Sequence, residues 1–147
     1  MSEPAAVVPL PEPTQDERTL ATLAHALQMV GWWIAPLVIF FVKRESKFVA
    51  FHALQALFLQ IILLVVWFGG MGVWFAVLFG TVFKEGTPPS NAPPPGIFLF
   101  MPFLWLLFMG AWVLVLVLAI VYAIKAGRGE WAGYPILGAW ARRALKI

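Results

Sequence analysis

Residues 48–83 read FVAFHALQALFLQIILLVVWFGGMGVWFAVLFGTVF, a run of 36 residues without Asp, Glu, Lys or Arg. A transmembrane helix needs about 20 apolar residues to cross about 30 Å of hydrocarbon, so this run is too long for one upright span. We expect one long helix that begins at the membrane interface, crosses, and bends at Gly69–Gly72. The alternative is a helical hairpin that turns at these glycines.

Two further apolar runs flank this central stretch. Leu20–Val42 is long enough to cross a bilayer once, and Pro36 predicts a kink near its middle because proline removes a helical hydrogen bond. Five prolines between 84 and 96 predict a loop, and Ile97–Ile124 is predicted as a third span. The sequence therefore predicts an all-α integral membrane helical bundle with three long apolar helices, the first kinked and the second overlong and bent.

The two ends of the chain differ from the apolar centre. Residues 1–19 are acidic and proline-rich, which predicts a disordered tail. Residues 138–147 are basic with interspersed apolar positions, which predicts a short amphipathic helix on the membrane surface. The transmembrane domain is placed between these tails, over residues 20–137. Ser46 is expected to cap the second helix, and the basic, glycine-rich stretch 125–129 is expected to end the third.

The composition favours a membrane protein and excludes several kinds of active site. The chain is 62% hydrophobic and 12% charged, whereas a soluble domain carries about 25% charged residues. It contains no cysteine, which excludes disulfides and thiolate chemistry, and no acid lies inside a predicted span. The nucleophile or carboxylate pair of an intramembrane protease is therefore missing. We expect no enzymatic activity, no cofactor and no metal, and we find no feature that favours nucleic acid.

Eight of the ten basic residues lie in the 43–47 connector and after residue 124. Such clusters determine topology or bind lipid headgroups, and the positive-inside rule places both on the cytoplasmic side. With three spans, the amino terminus and the 84–96 loop would lie outside a cell (inner) membrane, with the carboxyl terminus in the cytoplasm. These candidate topology or headgroup charges are Lys43, Arg44, Lys47, Lys125, Arg128, Arg142, Arg143 and Lys146.

Polar side chains interrupt the first two apolar runs. The string His-Ala-Leu-Gln occurs at 25–28 and again at 52–55, and residues three apart lie on one face of a helix. Polar groups in lipid are costly and usually face protein or water. We therefore expect an intramembrane polar patch, which either forms hydrogen bonds between helices or lines a pathway. Its members are His25, Gln28, His52, Gln55 and Gln60.

Three stretches carry a resemblance to a known family. They are LAH (23–25), KRESKFVAFHALQAL (43–57) and IKAGRGEWAGYP (124–135). Residues 20–137 resemble small bacterial membrane proteins of unknown function that are grouped with the twenty-kilodalton channel subunit of the chloroplast Tic import translocon. The resemblance implies a helical membrane protein and assigns no catalytic residue.

The leading functional hypothesis is a non-enzymatic inner-membrane protein that forms part of a homo-oligomeric or hetero-oligomeric assembly. Its expected partners are the lipid bilayer and other membrane proteins or further copies of the chain. The alternative is a component of protein translocation or small-solute transport, with a polar His/Gln path between the first two helices. The sequence names neither a substrate nor a specific partner.

Overall fold

A computed structural model describes residues 11–85 and 100–147, and this part of the chain is all-helical. Residues 1–10 of the predicted tail lie outside the described residues, and so does the predicted 84–96 loop from residue 86 onward. The helices are α1 (Gln15–Ala26), α2 (Gln28–Gly31), α3 (Ile34–Val42), α4 (Lys47–Glu85), α5 (Met101–Gly127) and α6 (Leu137–Leu145).

The first apolar run is not one kinked helix, which corrects the prediction for 20–42. The helix ends at Leu27 and the chain turns again at Trp32, whose φ of 49° lies in the left-handed region. A Cβ on Gly31 would approach the Cβ of Ala35 to 2.7 Å, so this tight turn requires glycine. Pro36 falls in the first turn of α3, where its missing N–H removes no helical bond.

Helix α1 begins earlier than expected, inside the predicted tail. The Thr14 hydroxyl accepts a hydrogen bond from the Glu17 N–H, and the Glu17 carboxylate accepts one from the Thr14 N–H at 2.7 Å. This capping box satisfies two backbone donors that a helix start leaves free. The helix therefore begins at Gln15, and the disordered tail cannot extend to residue 19.

Helix α4 is continuous over 39 residues, so the structure has one helix rather than a hairpin at Gly69–Gly72. The hydroxyl of Ser46 accepts a hydrogen bond from the Val49 N–H, which confirms the predicted cap. Within the described ranges, two helices are long and apolar enough to cross a bilayer, one over Lys47–Thr81 and the other over Met101–Gly127. A third span is not shown, because α1 and α3 are each too short.

The buried residues gather at one end of the molecule. We call this the packed end: α1 to α3, residues 47–57 of α4, residues 115–127 of α5, and α6. Residues 61–81 of α4 and 101–114 of α5 form the exposed pair, in which no residue is buried. Trp67 packs against Phe108 in this pair, with ring centroids 4.1 Å apart and the ring planes tilted by 40°. The fold thus divides into a bundle with an interior and a two-helix extension without one.

Helix α6 closes the packed end by lying against α4. The predicted carboxyl-terminal helix is present, and its Ala141 is buried beside Phe51, Leu54 and Leu57 of α4. Close approach of two glycines permits this packing, because a Cβ on Gly133 would lie 2.9 Å from the Cα of Gly138.

Candidate functional site

The two His-Ala-Leu-Gln strings meet in the interior of the packed end. His25 and Gln28 come from α1 and the start of α2, while His52 and Gln55 come from the first turns of α4. All four side chains are at most 1% exposed. The structure therefore brings together the residues predicted from the repeated string, and it does so in the protein interior rather than at a wet surface.

A directed chain of hydrogen bonds runs through both histidines. His52 Nε2 lies 3.1 Å from the carbonyl oxygen of Glu130, and a carbonyl only accepts, so this nitrogen carries the proton. In a neutral ring His52 Nδ1 then accepts, and it does so from His25 Nε2 at 3.0 Å. His25 Nδ1 is left as the acceptor for the Tyr134 hydroxyl at 2.9 Å. One carbonyl thus fixes the tautomers of two neutral rings.

The glutamines complete the chain and connect it to the backbone. Gln28 Nε2 donates to the Tyr134 hydroxyl at 3.3 Å, while Gln28 Oε1 is buried without a hydrogen-bond partner. Gln55 Oε1 accepts from the Tyr134 N–H at 2.6 Å. Gln60 Nε2 donates to the Gln28 carbonyl at 3.1 Å, so the fifth predicted residue also joins the patch. The cluster therefore ties α1, α2 and α4 to the segment between α5 and α6.

Tyr134 is the central residue that the sequence analysis missed. It is 3% exposed. Its hydroxyl bonds to His25 and Gln28, and its backbone N–H donates to Gln55. Burial raises the pKa of Tyr134, with the Gln28 bond opposing and Tyr122 adding to that shift, so the hydroxyl stays protonated. The one feature of the sequence that pointed to Tyr134 is its place in the stretch 124–135, which carries the family resemblance.

The chemistry open to this cluster is limited. Each histidine nitrogen has a hydrogen-bond partner inside the protein, which leaves none free for a ligand. Among the residues that the structure describes, no three His, Cys, Asp or Glu side chains lie close enough to hold a metal. An open apolar groove of about 390 Å³ lies apart from the cluster, between α1 and α5, where Thr22, Ala26 and Ala123 contribute to its lining.

The predicted basic residues surround the same end but do not form one binding site. Lys47 Nζ donates to the Leu145 carbonyl at 2.9 Å, and Arg142 Nη2 donates to the Trp131 carbonyl at 2.9 Å. Lys125 lies over the ring of Tyr122, 5.3 Å from its centroid. The first two contacts hold α6 against α4 and against the segment that precedes it, while the third lies within α5. The remaining members are exposed: Lys43, Arg44, Arg128, Arg143 and Lys146.

Comparison with known proteins gives one match. Residues 16–141 match the model of the MamF/MmsF family, described as the magnetosome magnetite crystal formation protein family. No curated protein and no solved structure matches the chain. The finding supports the expected small bacterial membrane-protein family, and it gives no support for similarity to the Tic channel subunit.

Proposed function

Because the chain belongs to the magnetosome magnetite crystal formation protein family, we propose that it is a non-enzymatic membrane subunit that supports magnetite crystal formation. It acts as part of a homo-oligomeric or hetero-oligomeric assembly in the membrane that surrounds the crystal. Its role is structural: the packed end provides a rigid unit, and the exposed pair anchors that unit in lipid or against other subunits.

The pairing of every histidine ring nitrogen inside the protein is the observation that carries this proposal. The ring nitrogens of His25 and His52 are hydrogen-bonded to each other, to the Tyr134 hydroxyl and to the Glu130 carbonyl. A pathway needs polar groups that face water, and a catalytic base needs a free partner within hydrogen-bond reach of a substrate. Buried groups that satisfy one another instead join helices and fix their arrangement.

The direct test is a magnetite-forming cell that lacks this chain. We expect altered crystal number or size by electron microscopy, and restoration when the native chain is returned. His52→Leu should restore crystals poorly, because it opens the cluster, while Val66→Leu on the exposed pair should restore them fully. Immunoblots of the membrane fraction establish equal levels of each variant. Unchanged crystals in the cell without the chain would overturn the proposal.

A second test separates the structural role from the transport alternative. The purified protein is reconstituted into liposomes and solute flux is measured for the native chain and for His52→Leu/Gln55→Leu. The proposed role predicts no flux above that of empty liposomes. Flux that disappears in the double variant would favour a polar path through the cluster instead.

A further inference from the structure

Helices α1 and α3 run in opposite directions, so that the end of α3 lies close to the start of α1. We call α1 to α3 the amino-terminal hairpin, or simply the hairpin. Glu17 in the first turn of α1 lies beside Ser46 and Lys43, which follow the end of α3. Deeper in the hairpin, Ala24 of α1 and Ile39 of α3 pack in one buried cluster with Val49 and Ala53 of α4. The start of α1, the end of α3 and the start of α4 therefore lie at the same level.

The end of α5 reaches that level too. Arg18 lies against Gly129, where an added Cβ would be 2.9 Å from Arg18 Nε. One turn further along α1, the Thr22 hydroxyl donates to the Ala123 carbonyl at 3.2 Å. Helix α1 consequently enters next to the point where α5 leaves, and the two helices are antiparallel.

The hairpin is too shallow to cross a bilayer. The leg formed by α1 and α2 covers 15–31, about 26 Å at 1.5 Å per residue, and α3 has nine residues, about 14 Å. The hydrocarbon core is about 30 Å thick. Near the turn, the Gln28 carbonyl accepts a hydrogen bond from Gln60 of α4. Gln60 lies 13 residues beyond Lys47, or about 20 Å along the helix.

The outer face of the hairpin is apolar and exposed, while its inner face carries the polar cluster. Val30 is 84% exposed and Val42 is 70% exposed, and Trp32, Ile34 and Phe41 are each more than half exposed. Such large apolar side chains are more stable in contact with lipid than with water. Gln60 Nε2 donates to the Gln28 carbonyl near the turn, so at least this backbone acceptor is satisfied at membrane depth.

We propose that α1 to α3 form a re-entrant hairpin, which enters one leaflet of the bilayer from the basic side and returns to that side. Its apolar outer face contacts the acyl chains of that leaflet. Residues 11–14, the 43–47 connector and α6 lie at one membrane surface, so the described chain crosses twice, through α4 and α5. The exposed cations Arg44, Arg128 and Arg143 belong to that surface and favour the cytoplasmic side.

The absence of native cysteine makes this arrangement directly testable. Single variants Glu12→Cys, Asp16→Cys, Arg44→Cys and Ser90→Cys are expressed in sealed membrane vesicles of one orientation. A membrane-impermeant maleimide is added before and after permeabilisation. Arg44→Cys and Ser90→Cys serve as references for the two sides, because α4 separates them.

The re-entrant hairpin predicts that Glu12→Cys and Asp16→Cys react from the same side as Arg44→Cys. Three crossings would instead make both react with Ser90→Cys, and that result would overturn the proposal. The two substituted positions are exposed in the structure, and each tests the outcome separately. The assay measures sidedness alone, so a failure of the proposed role in crystal formation would leave its result unaffected.

Discussion

The packed end and the exposed pair share the two long helices α4 and α5, but their residues are packed in different ways. In the packed end, helix α4 buries every residue from Phe48 to Leu57, including a histidine and a glutamine. In the exposed pair the same helix buries none, and it carries glycines and large apolar side chains that point outward. Specific polar contacts therefore determine structure at one end, whereas compatibility with lipid is sufficient at the other.

The strongest test of this difference is the removal of a polar group from the cluster. His52→Leu leaves the Glu130 carbonyl and His25 Nε2 without partners. Each buried unsatisfied group costs about 1–3 kcal/mol, so we expect a loss of about 3 kcal/mol in the free energy of unfolding. The measurement is denaturant-induced unfolding in mixed detergent micelles.

The matched control is Val66→Leu, because Val66 is 66% exposed in the pair. Surface substitutions of this kind change stability by less than about 0.5 kcal/mol. Equal effects of the two substitutions would show that the packed end has no special dependence on its polar contacts.

Two glycines offer the next comparison. Gly133→Ala places a Cβ 2.9 Å from the Cα of Gly138, and such overpacking costs about 1–3 kcal/mol. Gly70→Ala meets nothing within 4 Å, and alanine stabilises a helix interior by about 0.5–1 kcal/mol relative to glycine. Thermal unfolding in detergent should therefore shift in opposite directions for the two variants. Shifts of the same sign would contradict the division into a packed and an unpacked region.

The sequence predicted those parts of the structure that depend on local chemistry. The Ser46 cap, the stop near Gly127 and helix α6 follow from residue types within a few positions of each other. The shared helical face of His52 and Gln55 in α4 followed from spacing in the same way, whereas His25 lies in α1 and Gln28 in α2.

The remaining features depend on contacts between distant parts of the chain. An apolar run from 20 to 42 has the same hydropathy whether it crosses or turns back, and the turn depends on the packing of Ala24 with Ile39. Tyr134 lies outside every apolar run, 109 positions from His25, so no periodicity connects the two residues. Tertiary packing decided both features.

The start of α1 allows a smaller test at the margin of the packed end. Thr14→Ala removes the capping box, and the loss of such a cap costs about 1 kcal/mol. Thr19→Ala is the matched control, because its hydroxyl bonds to the Gln15 carbonyl within an established helix. Amide hydrogen exchange over residues 15–20 should increase in the first variant and remain near the native value in the second. No difference between them would mean that packing alone fixes the helix start.

The smallest expected effect is a pH dependence at the same place. The Ser46 hydroxyl and the Thr14 N–H lower the pKa of the Glu17 carboxyl below its ordinary value. The Thr14 hydroxyl and the Lys43 charge add smaller effects in the same direction, and burial opposes the shift. A lowered pKa stabilises the fold above the unfolded-state value, and this contribution is lost as the pH falls through the folded pKa.

Native protein should therefore be more stable than Glu17→Gln at neutral pH, by less than about 1 kcal/mol because the group is near the surface. The difference should shrink as the pH falls through the lowered pKa of Glu17, because the carboxyl then becomes protonated. Unfolding curves of both proteins across this range test the prediction. A stability difference between the two proteins that does not change with pH would show that the Glu17 charge does not cause it.

The hydrogen bond between His25 and Tyr134 joins residues that are synthesised at very different times, because they are 109 positions apart. The two histidines leave the ribosome long before Glu130 and Tyr134, which supply their outer hydrogen bonds. Until then, a growing chain holds an unfinished polar cluster next to lipid. A nascent protein that stops before residue 130 would therefore leave the outer ring nitrogens of both histidines without their partners.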